Sequence, residues 1–200
     1  SFHPVKIITT GEGGMILTND YKLDKKLKLL RTSGIDKELG EKKLVKKGRW
    51  FYEQKLLGFN YRMNDISAAL GISQLKKLNQ FVKKRNLIAS KYRNLLKDFP
   101  VKFQEINSTN YSSHHLLIIR VSKNLRRKLF DTLRGNGFFV NIHYIPIHLQ
   151  PFYKKLGFKK GNFPESEKYY EEALSIPIYP NLKFKLQKQV ADIIKKTLLK

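Results

Sequence analysis

Lys6 stands between Val5 and Ile7, in a chain whose other lysines mostly sit among charges. Burial beside such side chains penalises an ammonium and favours the free amine, the nucleophile that Schiff-base chemistry needs. A lysine at a strand edge also snorkels or guards against edge pairing, so residue type alone leaves both readings open. Gly11-Glu12-Gly13-Gly14 can bring bare backbone to a ligand or make a turn at positive φ. Its spacing is neither that of a dinucleotide site nor of a P-loop, which favours the turn. Asn60 and Arg62 lie just before an expected helix N-terminus, a place that suits a phosphate and equally suits a plain cap. His143 and His148 are five apart, which matches no metal spacing and completes no nucleophile triad. His143 and Tyr144 at a strand end can present an imidazole and a phenol to a polar ligand, or the histidines can simply pack.

These residues need elements to hold them. Two short apolar runs, Lys6 to Thr10 and Met15 to Thr18, flank the glycines and read as strand, turn and strand. Asn19 or Asp20 caps a helix on which Leu23, Leu27 and Leu30 recur at helical spacing, and Gly34 stops it. Ile35 to Leu57 is charged and aperiodic and reads as a long loop. Asn64 or Asp65 caps the next helix, with Ile66, Ala69, Leu70 and Leu78 on its apolar stripe, continuing as one long or kinked helix to Phe99-Pro100. A strand is expected at Leu116 to Val121 and a helix from Asn124 to Arg134. After a Gly135-Asn136-Gly137 break come a strand at Phe138 to His143 and helices near Glu165 to Leu174 and Phe184 to Leu199. That alternation fits an α/β unit.

The 200 residues are 41% hydrophobic and 12% aromatic, enough apolar surface for a core and against a disordered or fibrous chain. No apolar run is long enough to cross a bilayer, and with no cysteine there is no disulfide, thiolate metal site or cysteine nucleophile. Net charge is +24, which invites a nucleic-acid reading. Lys outnumbers Arg 31 to 9 and is spread over every expected helix, so solvated helix faces account for it better. Ser1-Phe2-His3 is neither an initiator methionine nor a signal peptide, so the chain is expected to be part of a longer one.

Taken together, four segments carry a family pattern. Ser1-Phe2-His3-Pro4-Val5-Lys6 with Gly11 to Gly14 and Thr18-Asn19-Asp20 resembles the active-site lysine segment of the DegT/DnrJ/EryC1 aminotransferases. These are pyridoxal-phosphate enzymes acting on nucleotide-linked keto sugars. Gly58 to Asp65 with Ala68 to Gly71, then His143 to His148, then Ser175 to Pro180, are similar to the same family in the same order.

The resemblance implies an α/β, fold-type I subunit, its large domain built around a mixed, mostly parallel sheet: residues 1–80 are the C-terminal part of that cofactor-binding large domain and residues 81–200 the small C-terminal α/β domain. It implies that Lys6 forms the Schiff base with pyridoxal 5'-phosphate and then shuttles the proton between the substrate carbon and the cofactor carbon, and that Ser1 holds the cofactor phosphate. Asn60 would reach the phosphate in the neighbouring subunit of a homodimer. Arg62, His143 and Tyr144 would lie near the sugar nucleotide, and Gly13 and Gly14 would be structural. Keeping lysine at residue 6 favours transamination over the dehydration of relatives that carry histidine. The implied reaction is amination of a UDP-linked 4-keto-6-deoxy N-acetylhexosamine by glutamate, in cytoplasmic synthesis of surface polysaccharide or pseudaminic-type sugars. The remaining phosphate cradle and the acidic partner of the pyridine nitrogen are expected upstream. The alternatives are a dTDP-linked keto sugar, a regulatory relative without catalysis, and a basic nucleic-acid binder. No metal, membrane or specific nucleic-acid partner is implied.

Overall fold

Asp20 opens the first regular element: its carboxylate accepts from the amides of Lys22 (2.8 Å) and Leu23 (3.2 Å) and caps α1, Tyr21–Arg31. Gly34 ends it as expected, at φ +70°, with its amide bonded to the Leu29 carbonyl at 2.8 Å. A Cβ there would also strike the Leu56 carbonyl, so the position needs glycine for conformation and for space. The computed structural model describes residues 1–36 and 45–199. They divide into two units, Ser1–Lys76 and Lys77–Lys200.

In the first unit the stretch expected to be one loop contains a short antiparallel pair, β1 (Ile35–Asp36) and β2 (Glu53–Gln54), and the part at 37–44 lies outside the described residues. Asn64 caps α2 (Asp65–Leu75) by accepting from the Ser67 amide at 2.9 Å. The strands expected at Lys6 to Thr10 and Met15 to Thr18 are not formed; these residues are bends and extended chain. The β-branched runs lack a neighbouring strand among the described residues, and the backbone groups of Phe2 bond instead to Gly13 and Thr10.

The second unit is the α/β body that the alternation predicts. The expected long or kinked helix is interrupted at residues 76–77, giving α2 and α3 (Leu78–Leu95). Three strands, β3 (Lys102–Phe103), β4 (Leu117–Arg120) and β5 (Ala173–Ile176), pair antiparallel in the order β3-β4-β5. Leu117 and Ile119 alternate inward on β4, while all four residues of β5 are buried, as befits a strand covered on both faces. Helices α4 (Lys123–Gly135), α5 (Pro151–Lys155), α6 (Pro164–Glu172) and α7 (Phe184–Leu198) complete the unit, with a 3-10 turn at Ile147–Leu149. Leu129 and Leu133 on α4 and Val190, Ala191 and Ile194 on α7 recur at helical spacing and bury fully in the core. The expected strand at Phe138 to His143 is reduced to a single bridge, Asn141 to Ser175. Arg85 on α3 is buried and donates to the carbonyls of His114 (3.1 Å), His115 (3.3 Å) and Ile178 (3.0 Å), tying loops together that have no ladder of their own.

Candidate active site

Lys6 ends a tight turn: its amide donates to the His3 carbonyl at 3.0 Å across His3-Pro4-Val5-Lys6. The turn is clasped from behind. Phe2 donates to the Gly13 carbonyl at 2.9 Å and accepts from the Thr10 amide at 3.0 Å and the Thr9 hydroxyl at 2.9 Å. Thr10 is buried and its hydroxyl donates to the Glu12 carbonyl at 2.7 Å. The loop therefore presents Lys6 from a backbone frame rather than from a sheet. The Lys6 side chain is half-buried, and among the described residues its ammonium has neither a hydrogen bond nor an ion pair.

The frame is joined to the next segment by two close approaches. A Cβ on Gly13 would meet the Thr10 hydroxyl and lie 2.8 Å from the Met63 methyl, and one on Gly71 of α2 would lie 2.8 Å from the Thr10 methyl. Met63 and Gly71 thus hold the Lys6 loop against the chain that carries Asn60 and Arg62.

That chain is itself strapped to the end of α1. Phe59 donates to the Leu30 carbonyl (2.6 Å), Tyr61 to that of Arg31 (2.9 Å), and Ser33 donates to Phe59 (2.7 Å), with a bridge between Thr32 and Asn60. Phe59 and Tyr61 stack at 4.9 Å, so they share one side of an extended stretch. The Asn60 side chain is exposed and bonded to nothing among the described residues, and Arg62 lines an open cavity of about 810 Å³ with Lys25, Arg31 and Asp36. Ser1 is exposed, and among the described residues its hydroxyl accepts only a long 3.5 Å contact from the His3 amide.

His143 and Tyr144 belong to the second unit. His143 is half-buried, with Nδ1 2.7 Å from the Ser175 hydroxyl and its ring edge-on to Tyr144 at 4.7 Å. Burial lowers its pKa, holding it neutral. Tyr144 is exposed. His148 is a packing histidine: its Nε2 donates to the Glu167 carboxylate at 2.8 Å, and Phe163 stands edge-on to the ring at 4.9 Å. Glu167 also accepts from the Gly161 amide at 2.7 Å, and the His148 bond is the main cause holding this carboxyl below its ordinary range.

Ser1, Lys6, Asn60 and Arg62 thus lie in one unit and His143 and Tyr144 in the other. Three residues of the arrangement carry no role in the sequence reading. Thr10 is hidden because a buried threonine in a β-branched run looks like a strand residue. Ser175 and Glu167 are the partners of two histidines, and only the juxtaposition of β5 and α6 with the 141–148 segment reveals them.

The pattern of the DegT/DnrJ/EryC1/StrS aminotransferase family matches residues 1–195. The UDP-4-amino-4,6-dideoxy-N-acetyl-beta-L-altrosamine transaminase of Campylobacter jejuni is 38% identical over 199 residues, covering 97% of this chain and 50% of that protein. The solved structure of Helicobacter pylori PseC, an aminotransferase involved in the biosynthesis of pseudoaminic acid, superposes with a TM-score of 0.84 at 33% identity. It is matched over 100% of this chain and 52% of its own. A Streptococcus pneumoniae protein solved in its PMP-form superposes with a TM-score of 0.87 at 25% identity, over 100% of this chain and 52% of its own. The chain spans about half the length of the curated relatives it matches. No described helix is long and apolar enough to cross a membrane.

Proposed function

Because the chain belongs to the DegT/DnrJ/EryC1/StrS aminotransferase family, we propose that it carries the lysine-bearing half of a nucleotide-sugar aminotransferase. The substrate in this reading is a 4-keto-6-deoxy sugar, a UDP-linked N-acetylhexosamine, aminated with glutamate as donor on the way to surface polysaccharide or nonulosonic acid. The similarity to the Campylobacter transaminase supports the UDP sugar over a dTDP-linked one. The observation that carries the reading is the Lys6 amine, uncommitted to any described partner and set at the end of a turn that Phe2, Thr10 and Gly13 hold in place.

Enzymes of this family depend on pyridoxal phosphate, which when bound supplies an electron sink for the substrate carbon. The chemistry of the groups on this chain fits that cofactor. An amine for an aldehyde stands at Lys6, and a hydroxyl and an amide without strong partners, at Ser1 and Asn60, suit phosphate oxygens. In this reading Lys6 holds the cofactor and then, as a free amine, moves the proton at the reacting carbon of the sugar. Ser1 binds phosphate, and Asn60 reaches the phosphate of a partner subunit, which makes a homodimer the working unit. Arg62 and the cations of its cavity favour the dianionic diphosphate of the sugar nucleotide. His143 and Tyr144 read sugar polar groups from the second unit, the small domain of this proposal.

The test is Lys6→Ala in the full-length protein, assayed with glutamate and the UDP-linked 4-keto sugar. Transamination is expected to fall by at least about a thousandfold while the thermal midpoint stays near wild type, since an amine with no partner among the described residues and little packing are lost. Near-wild-type turnover by Lys6→Ala contradicts the proposal. A higher kcat/KM for the dTDP-linked counterpart overturns the nucleotide alone.

A further inference from the structure

The Thr9 hydroxyl is held in one direction by the groups that flank it. It donates to the Phe2 carbonyl at 2.9 Å and accepts from the Gly11 amide at 3.0 Å. A carbonyl oxygen only accepts and an amide N–H only donates, so neither bond can reverse. One oxygen therefore joins the start of the chain to the glycine turn. The Phe2 carbonyl receives a second donor, the Thr10 amide at 3.0 Å, which fills both of its lone pairs, while the Phe2 amide donates to the Gly13 carbonyl at 2.9 Å. Both peptide groups of Phe2 are thus pinned from one stretch, Thr9 to Gly13. Thr10 and Gly13 do this through backbone groups that most residues supply. Thr9 does it through its side chain, so the residue type matters there.

Two residues hang from this pinned unit. Ser1 adjoins it on one side, and on the other His3 accepts from the Lys6 amide at 3.0 Å and closes the turn that ends in Lys6. In the function proposed above these are two anchors for one molecule, the Ser1 hydroxyl for the phosphate of pyridoxal phosphate and the Lys6 amine for its aldehyde. A ligand gripped at both ends gains from the second grip only as far as the anchors are held at a fixed separation. We propose that Thr9 is a positioning residue that sets the spacing between Ser1 and Lys6, and with it the share of cofactor affinity that the phosphate contributes. Thr9 acts through Phe2 and needs no contact of its own with the cofactor. The inference rests on the reading of Ser1 and Lys6 as cofactor anchors.

Pyridoxal, which lacks the phosphate, needs Lys6 alone and so separates spacing from attachment. The readout is the pair of binding constants of the full-length apoprotein for pyridoxal 5'-phosphate and for pyridoxal, measured by equilibrium dialysis. Thr9→Val replaces the hydroxyl by a methyl and keeps the branched shape. It is expected to weaken pyridoxal phosphate by about five- to tenfold, the scale of one hydrogen bond, and to leave pyridoxal unchanged. Thr9→Ser, which restores the hydroxyl, should keep the wild-type ratio of the two constants. Thr9→Ala removes the hydroxyl a second way and takes the place of Thr9→Val should that protein not fold. A ratio unchanged on loss of the hydroxyl, or an equal weakening of both ligands such as general loosening would give, overturns the positioning role. Borohydride fixation of pyridoxal phosphate in the wild type keeps the premise distinct. Label on Lys6 with an unchanged ratio overturns the spacing alone, whereas bound cofactor with no label on Lys6 overturns the anchor reading and this inference with it.

Discussion

Gly13 and Gly14 are adjacent and opposite in what they tolerate. A Cβ on Gly13 would meet the buried Thr10 hydroxyl and the Met63 methyl, whereas one on Gly14 would touch nothing within 4 Å. The Met63 methyl can swing aside, but Thr10 is held by its bond to Glu12 and by Gly71. Gly13→Ala is expected to cost about 1–3 kcal/mol, as overpacking does, and to loosen the frame behind Lys6. Gly14→Ala should leave the denaturation midpoint nearly unchanged. Chemical denaturation of the pair checks this, and equal effects of the two substitutions contradict the packing account. Both glycines read as structural from the sequence; which of them is needed depends on Thr10, a residue that the sequence presents only as part of a β-branched run.

The elements are joined by buried polar pairs as well as by apolar packing. Glu167 on α6 holds the turn at Ile147–Leu149 through His148 and the loop before it through the Gly161 amide. Because these bonds lower the folded pKa of Glu167, the stability it contributes is complete above the ordinary carboxylate range. It is lost as pH falls through that range to the depressed folded value. Glu167→Gln should therefore lower the thermal midpoint at neutral pH by several degrees and flatten its fall on acidification. A Glu167→Gln protein that keeps the wild-type acid limb contradicts the linkage. The longer helices were legible where they carry their own signal: a capping Asp20 or Asn64, leucines at helical spacing, a stopping Gly34; the short α5 carries none of these and was not expected. The strands were less so. Lys6 to Thr10 has strand composition without a described neighbour to pair with, and β5 hides in the four residues after α6, where Ala173 and Leu174 prolong a helical pattern.

Across the whole molecule, the net charge of +24 says less than its distribution. Much of it lies on helix faces, where Lys28 pairs with Asp24 at 2.8 Å and Arg127 with Asp131 at 3.6 Å, exposed pairs of small energetic worth. The open cavity beside Arg62 is lined by Lys25, Lys28 and Arg31 together with Asp36. In the first unit Leu17, Leu57 and Ile66 are largely exposed. The candidate residues stand out one by one through a pattern spread over four segments, while the frames that hold them arise from contacts far apart in sequence. The central claim concerns one nitrogen atom. Borohydride reduction of the full-length protein loaded with pyridoxal phosphate, followed by peptide mass mapping, should fix the cofactor to the peptide bearing Lys6 and to that lysine within it. A stable adduct on another lysine, or none on Lys6 despite bound cofactor, contradicts the account.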